Sequence, residues 1–209
     1  MDDATESYIM LLLADGNLPT GSFVASTGFE SYVKHGFFGT SLSNAAEATA
    51  SSSSSARTNQ SVVNFVEDSL GTYAHSALPF VSDAHITATS YRNVADRDYE
   101  ATLSQLGALD DLYHSMTLND VTRRASKAQG VALLTLFSKG FTNPQLLSSG
   151  RGAEVDIFVR LIDEYKLRVR REDVHGHLPI CWGILTAALG LSLGIARPIR
   201  ILFLLFTIH

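Results

Sequence analysis

At 209 residues the chain has the size of one ordinary domain with a core of its own, and 1–209 is read as a single unit. Its net charge of -5 gives no general attraction to nucleic acid or to an anionic membrane surface. Cys181 is the only cysteine, which excludes an intrachain disulfide, and the acidic opening "MDDATES" has no basic leader segment, so a cytoplasmic location is expected.

In chain order, the first element is the apolar "SYIMLLLAD", followed by "GNLPTGS" from Gly16 to Ser22. Two glycines five apart with a hydroxyl behind them resemble a phosphate-binding loop. Such a loop needs a lysine after the second glycine, where this chain has Ser22, and Pro19 removes one of the backbone donors a phosphate would use. The stretch is therefore expected to break one helix from the next, with Thr20 or Ser22 capping the second of the two. Residues 39–60, "GTSLSNAAEATASSSSSARTNQ", have almost nothing to bury, and a flexible Ser/Ala-rich loop is expected there.

Beyond residue 60 the spacing is helical. Val62, Phe65, Val66 and Tyr73 share one face, and so do Val155, Phe158, Val159 and Ile162. Between them, residues 96–116 and 118–140 read as two long helices, the second capped by Asn119 or Asp120 and ended by Gly140. Ile180 to Gly194 is apolar throughout. Arg197, Pro198 and Arg200 then divide it from "ILFLLF", leaving pieces too short to span a bilayer, so a buried core helix is expected and no membrane association. No stretch alternates long enough for a strand, and the expected fold class is all-α, a single helical bundle-like domain with short connections.

Catalytic signatures are few. There is no G-x-S-x-G elbow to activate a serine. His175, His177 and Cys181 in "HGHLPIC" are the one grouping of metal-ligand types, and imidazole with thiolate suits nickel, copper or zinc. Against that stands the position of Cys181 in an apolar run, where a cysteine is ordinarily a small buried hydrophobe. "KLRVRRE", residues 166–172, has Glu154, Asp156, Asp163 and Glu164 nearby and reads as a solvated helix face.

Three blocks, in order, resemble the urease accessory protein F (UreF) family. "LLLADGNLPTGSFVASTGFESYV" is similar to its N-terminal signature through Leu18, Pro19, Gly21, Phe23, Ser26, Gly28, Phe29 and Glu30. "LDDLYHSMTLNDVTRRASKAQGVALLTLFSKGF" resembles its central helices through Asp110, Asp111, Arg123, Arg124, Ser126, Gln129 and Gly130. "GHLPICWGILTAALGLSL" resembles a third segment through Gly176, His177, Trp182 and Gly183. The resemblance implies an all-helical protein with no enzymatic activity and no cofactor of its own. It implies a homodimer that joins a UreG-type GTPase and a UreD/UreH-type accessory protein while nickel is inserted into apo-urease, with nickel and GTP handled by the partners.

Physical roles can be set beside that resemblance. Pro19, Gly21, Gly28, Gly130, Gly176 and Gly183 are expected to allow turns and close helix approach, and Phe23 to anchor a core or an interface. Candidate partner contacts are Glu30, Tyr32, Arg123, Arg124, Ser126 and Gln129. Glu30 either completes a buried network or faces the GTPase, and Arg123 or Arg124 either pairs on the helix surface or supplies a guanidinium to phosphoryl transfer. The rival reading is a nickel-binding or shuttling protein built on His175, His177 and Cys181. After "LGLSL" the chain departs from the family pattern, so 194–209 is expected to be an atypical tail that puts the UreD/UreH contact in doubt, with "ILFLLF" an aggregation liability if exposed.

Overall fold

Helical periodicity in the sequence becomes helix throughout the computed structural model, which describes residues 3–13, 29–35, 52–93, 99–141 and 152–193. The helices are α1 (Asp3–Leu13), α2 (Phe29–Lys34), α3 (Ser52–Asn93), α4 (Tyr99–Met116), α5 (Asp120–Gly140), α6 (Gly152–Arg170) and α7 (Leu178–Ala188). No strand occurs among the described residues, as the all-α expectation requires. Pro19, Gly21, Phe23 and Gly28, the "GNLPTGS" turn and residues 194–209 lie outside them.

Helix α7 is the centre of the arrangement. It is apolar on every side and buried from Leu178 to Ala187. A helix of that kind must be enclosed. Helices α3 and α5 supply most of the enclosure, and α4 and α6 complete it. No described helix is long and apolar enough to cross a membrane.

The face that α3 turns to the core is Ala77, Phe80, Val81, Ala84, Ala88 and Tyr91, at spacings of three and four residues. Small side chains there let α7 come close. A Cβ on Gly183 would lie 2.6 Å from the Val81 carbonyl and 2.7 Å from the Ala84 methyl, so the helices meet at backbone contact. Thr186 bonds His85 Nδ1 at 2.9 Å beside this crossing. Pro79 sits within α3 on its exposed side, away from the packed face.

Two expectations need correction. Residues 52–60 are not loop but the first turns of α3, and 39–51 lie outside the described residues. Serine is only mildly unfavourable in a helix, and alanine and arginine are favourable. Once the segment after residue 60 forms its nucleus, extension backward costs little per residue. Nor are residues 166–172 merely a solvated face with local acids. Arg168 reaches Glu100 on α4 at 2.6 Å, and Lys166 donates to Ser138 on α5 at 3.0 Å. These bonds fasten α6, whose Phe158, Leu161, Ile162 and Tyr165 are buried, to its two neighbours. At the α4–α5 corner Asn119 is the N-cap, accepting from the amides of Val121 and Thr122 at 2.8 and 3.2 Å.

Candidate functional site

The polar chemistry of the molecule gathers where residues 171–177 carry the chain from α6 into α7. The segment begins with Glu172 in the left-handed region, φ 63°, and passes Gly176 at φ 74°. It is held down by Asp110. This aspartate lies on the buried face of α4 with Leu103, Leu106, Gly107 and Tyr113, and it is 0% exposed. A buried carboxylate must be fully bonded. Oδ2 accepts from the amides of His175 and Gly176, each at 2.7 Å, and Oδ1 accepts from the amide of His177 at 2.9 Å. Burial raises the Asp110 pKa, while these three amides pull it back by favouring the charged form.

Helix α5 supplies the other half of the clamp. The Ser126 hydroxyl, buried, accepts from the amide of Leu178 at 3.1 Å and lies 3.1 Å from His177 Nδ1. Ser126 thus caps the first amide of α7 and Asp110 holds the three amides that lead into it, while the helix's own N-cap residue, His177, makes no side-chain cap bond. The carboxylate also stands at the positive end of the α7 dipole. One turn beyond Ser126, a Cβ on Gly130 would come within 2.2 Å of the Gly176 carbonyl, so only glycine fits beneath the segment.

Three histidines close the outer side. His177, 0% exposed, has Nε2 2.9 Å from His114 Nδ1, at hydrogen-bond distance. The His114 ring lies flat on His175, with centroids 3.7 Å apart and planes 9° from parallel. Oδ1 of Asp111 is 3.4 Å from His175 Nε2. Burial, then the neighbouring His114 and His175, lowers the His177 pKa to about 3. Burial and His175 lower that of His114 as well. Sequence reasoning missed His114, which lies 63 residues from its partner. Its one legible trace is its place a helical turn after Asp110.

The remaining expected residues separate into buried and exposed groups. His175, His177 and Cys181 do not form a metal-holding set, and no such group of three or more exists among the described residues. Cys181 is fully buried, and burial followed by the Asp110 charge pushes its thiol pKa well up, away from the thiolate a metal would need. Ser126 faces the interior, so its role here is structural and not a surface contact. Arg123 donates through Nε to the Thr117 carbonyl and through Nη1 to Asp120, which ties it to the α4–α5 corner. Arg124 is exposed and Gln129 half-buried. Glu30 is exposed on α2, so it belongs to no buried network, and Tyr32 is half-buried with its ring 4.8 Å from that of Phe65.

The family model described as UreF matches residues 56–196, which includes α4 to α7 and the clamp between them. Similar proteins include "Urease accessory protein 6" of Cryptococcus neoformans var. grubii, 34% identical over 203 residues, covering 90% of this chain and 64% of that protein. "Uncharacterized urease accessory protein UreF-like" of Schizosaccharomyces pombe is 28% identical over 192 residues, covering 92% of this chain and 64% of that protein. "Urease accessory protein UreF" of Corynebacterium efficiens is 22% identical over 188 residues, covering 90% of this chain and 62% of that protein. The chain therefore spans a little under two thirds of the length of these relatives. No solved structure matches it. The chain belongs to the UreF family.

Proposed function

We propose that the chain works without catalysing a reaction, as a scaffold and regulator that joins a UreG-type GTPase and a UreD/UreH-type protein while nickel enters apo-urease. It acts in the cytosol as a homodimer, and nickel and GTP are handled by the partner complex. The observation that carries this reading, beside the family match, is the direction of the polar groups. Of the buried polar groups at the clamp, Asp110 and Ser126 serve the chain's own backbone and His177 bonds the side chains of Ser126 and His114, leaving exposed residues such as Glu30 and Arg124 for work on other proteins. Arg123 is engaged at its corner, so Arg124 is the arginine able to approach a bound nucleotide's phosphates, and Glu30 the carboxylate able to adjust the GTPase.

The test is activation of purified apo-urease by nickel, GTP, UreG and UreD/UreH with and without this chain. Activation is expected to depend on it, and equal activation in its absence overturns the proposal. Within that assay Glu30→Ala is expected to lower activation while leaving pull-down of the partners intact. Arg124→Ala is expected to slow GTP hydrolysis more than Arg123→Ala, whose first effect is on folding.

A further inference from the structure

The histidines do more than the buried hydrogen bonds require. Asp110 and Ser126 already satisfy the four amides from His175 to Leu178. Yet two imidazoles from different parts of the chain lie face to face at 3.7 Å on the outer side of that clamp. Neutral rings stack favourably, while two imidazolium ions in that arrangement repel. The charged and titratable groups around them are unequal. Helix α5 brings Arg123 and Lys127, and the far side of the pair meets His177. Helix α4 brings Asp110, Asp111 and the Tyr113 ring, 5.1 Å from His177. Asp110, though bonded to three amides, still favours a proton on His114, and Asp111, 64% exposed, stands 3.4 Å from His175, but burial and His175 outweigh Asp110 at His114.

We propose that the His114–His175 stack is an acid-sensitive clasp: acid charging of the stack parts its rings and loosens residues 171–177 from α4 while the helices stay folded. The contact between His114 Nδ1 and His177 Nε2 does not oppose this, because a protonated His114 carries a proton on Nδ1 and a neutral His177 can accept it at Nε2. Repulsion is therefore concentrated in the stack. The sign follows from His114, which holds its proton less well in the closed form than free imidazole does. Closure is complete above the free-histidine pKa of about 6.5 and weakens as the pH falls below it. The loosened segment covers Gly130 and leads into the buried α7, so acid alters the surface that α4 and α5 present.

Hydrogen exchange of the full chain, read by mass spectrometry at about pH 7.5 and about pH 5.5 and corrected for intrinsic rates, tests the clasp. Peptides covering residues 171–178 are expected to lose protection by up to about tenfold for each proton taken up over one pH unit below the free pKa. Peptides of α3 and α7 are expected to keep theirs. In His175→Gln the pH response should shrink to what His177 alone confers, and His114→Asn provides a second variant with the same expectation. Unchanged protection of residues 171–178 in the parent chain, an undiminished response in folded variants, or equal loss across all helices would each overturn the proposal.

Discussion

Helix α7 is held along its body by α3 and at its N-terminal end by α4 and α5, and the two contacts are made of different material. Along the body, Gly183 meets the Val81 carbonyl and the Ala84 methyl at backbone contact, and the attraction is burial and dispersion with no charge involved. At the end, a carboxylate and a hydroxyl hold four successive amides, with glycines at 130 and 176 clearing the space. The first contact depends above all on volume, with the His85–Thr186 bond beside it. The second is directional, and it fails when a donor, an acceptor or a proton is changed.

The largest effect that separates them should come from Asp110→Ala. It removes the acceptor for three buried amides at once. Breaking a buried charged hydrogen-bond group costs about 3–5 kcal/mol, a large part of a domain's stability. Urea unfolding should show a loss of that order, with the segment 171–178 losing exchange protection first. A loss below about 1 kcal/mol, within the range of one ordinary hydrogen bond, would mean that the clamp does not hold α7 in place. Gly183→Ala is the counterpart on the other flank. Its methyl has no space against α3, and overpacking of this kind costs about 1–3 kcal/mol.

The pH dependence sharpens the contrast further. His177 titrates at about 3 in the fold, against about 6.5 when unfolded. The unfolded chain therefore takes up a proton that the folded chain refuses. The contribution of His177 is fully present above pH 6.5 and is lost as the pH falls towards 3, at about 1.4 kcal/mol per pH unit. His177→Asn should flatten this part of the stability profile, as measured by urea midpoints between about pH 7 and pH 5. A slope unchanged by the substitution would place the titration elsewhere.

These contacts differ also in how far the sequence announces them. The apolar run containing Trp182 and Gly183 reads directly as a buried helix, because periodicity and length are local properties. Gly130, Gly176 and Gly183 stand out through family resemblance, and close approach proves to be their physical reason. The clamp is different. Asp110 and Ser126 can be named in the sequence, but their partners lie 65 and 52 residues away, and spacing along a helix says nothing about which backbone it will meet. Ser126 for that reason reads from sequence as a partner contact, while the fold places it inside. The extent of α3 is missed for the opposite reason. Serine-rich composition describes what residues 52–60 can bury, whereas a helix already formed beside them decides what they become.

The smallest effect concerns the turn that begins the segment, and its sign is opposite to the others. Glu172 occupies φ 63°, with its amide bonded to the Val169 carbonyl at 3.1 Å and the next amide, of Asp173, bonded to Arg168 at 3.0 Å. This is the paired bonding that ends a helix through one left-handed residue, a position at which glycine carries no Cβ penalty. An L-residue there pays about 1–2 kcal/mol, partly offset by the lower conformational entropy of a non-glycine residue in the unfolded chain. Glu172→Gly should therefore stabilise the fold by about 0.5–1 kcal/mol and raise Tm by about 1–3 °C for a domain of this length. Glu172→Ala removes the same charge but keeps the Cβ, and should leave Tm nearly where it was. Equal gains from the two would assign the effect to the carboxylate instead of the backbone, and the α6 terminus would then be set by charge in the same manner as the clamp it leads into.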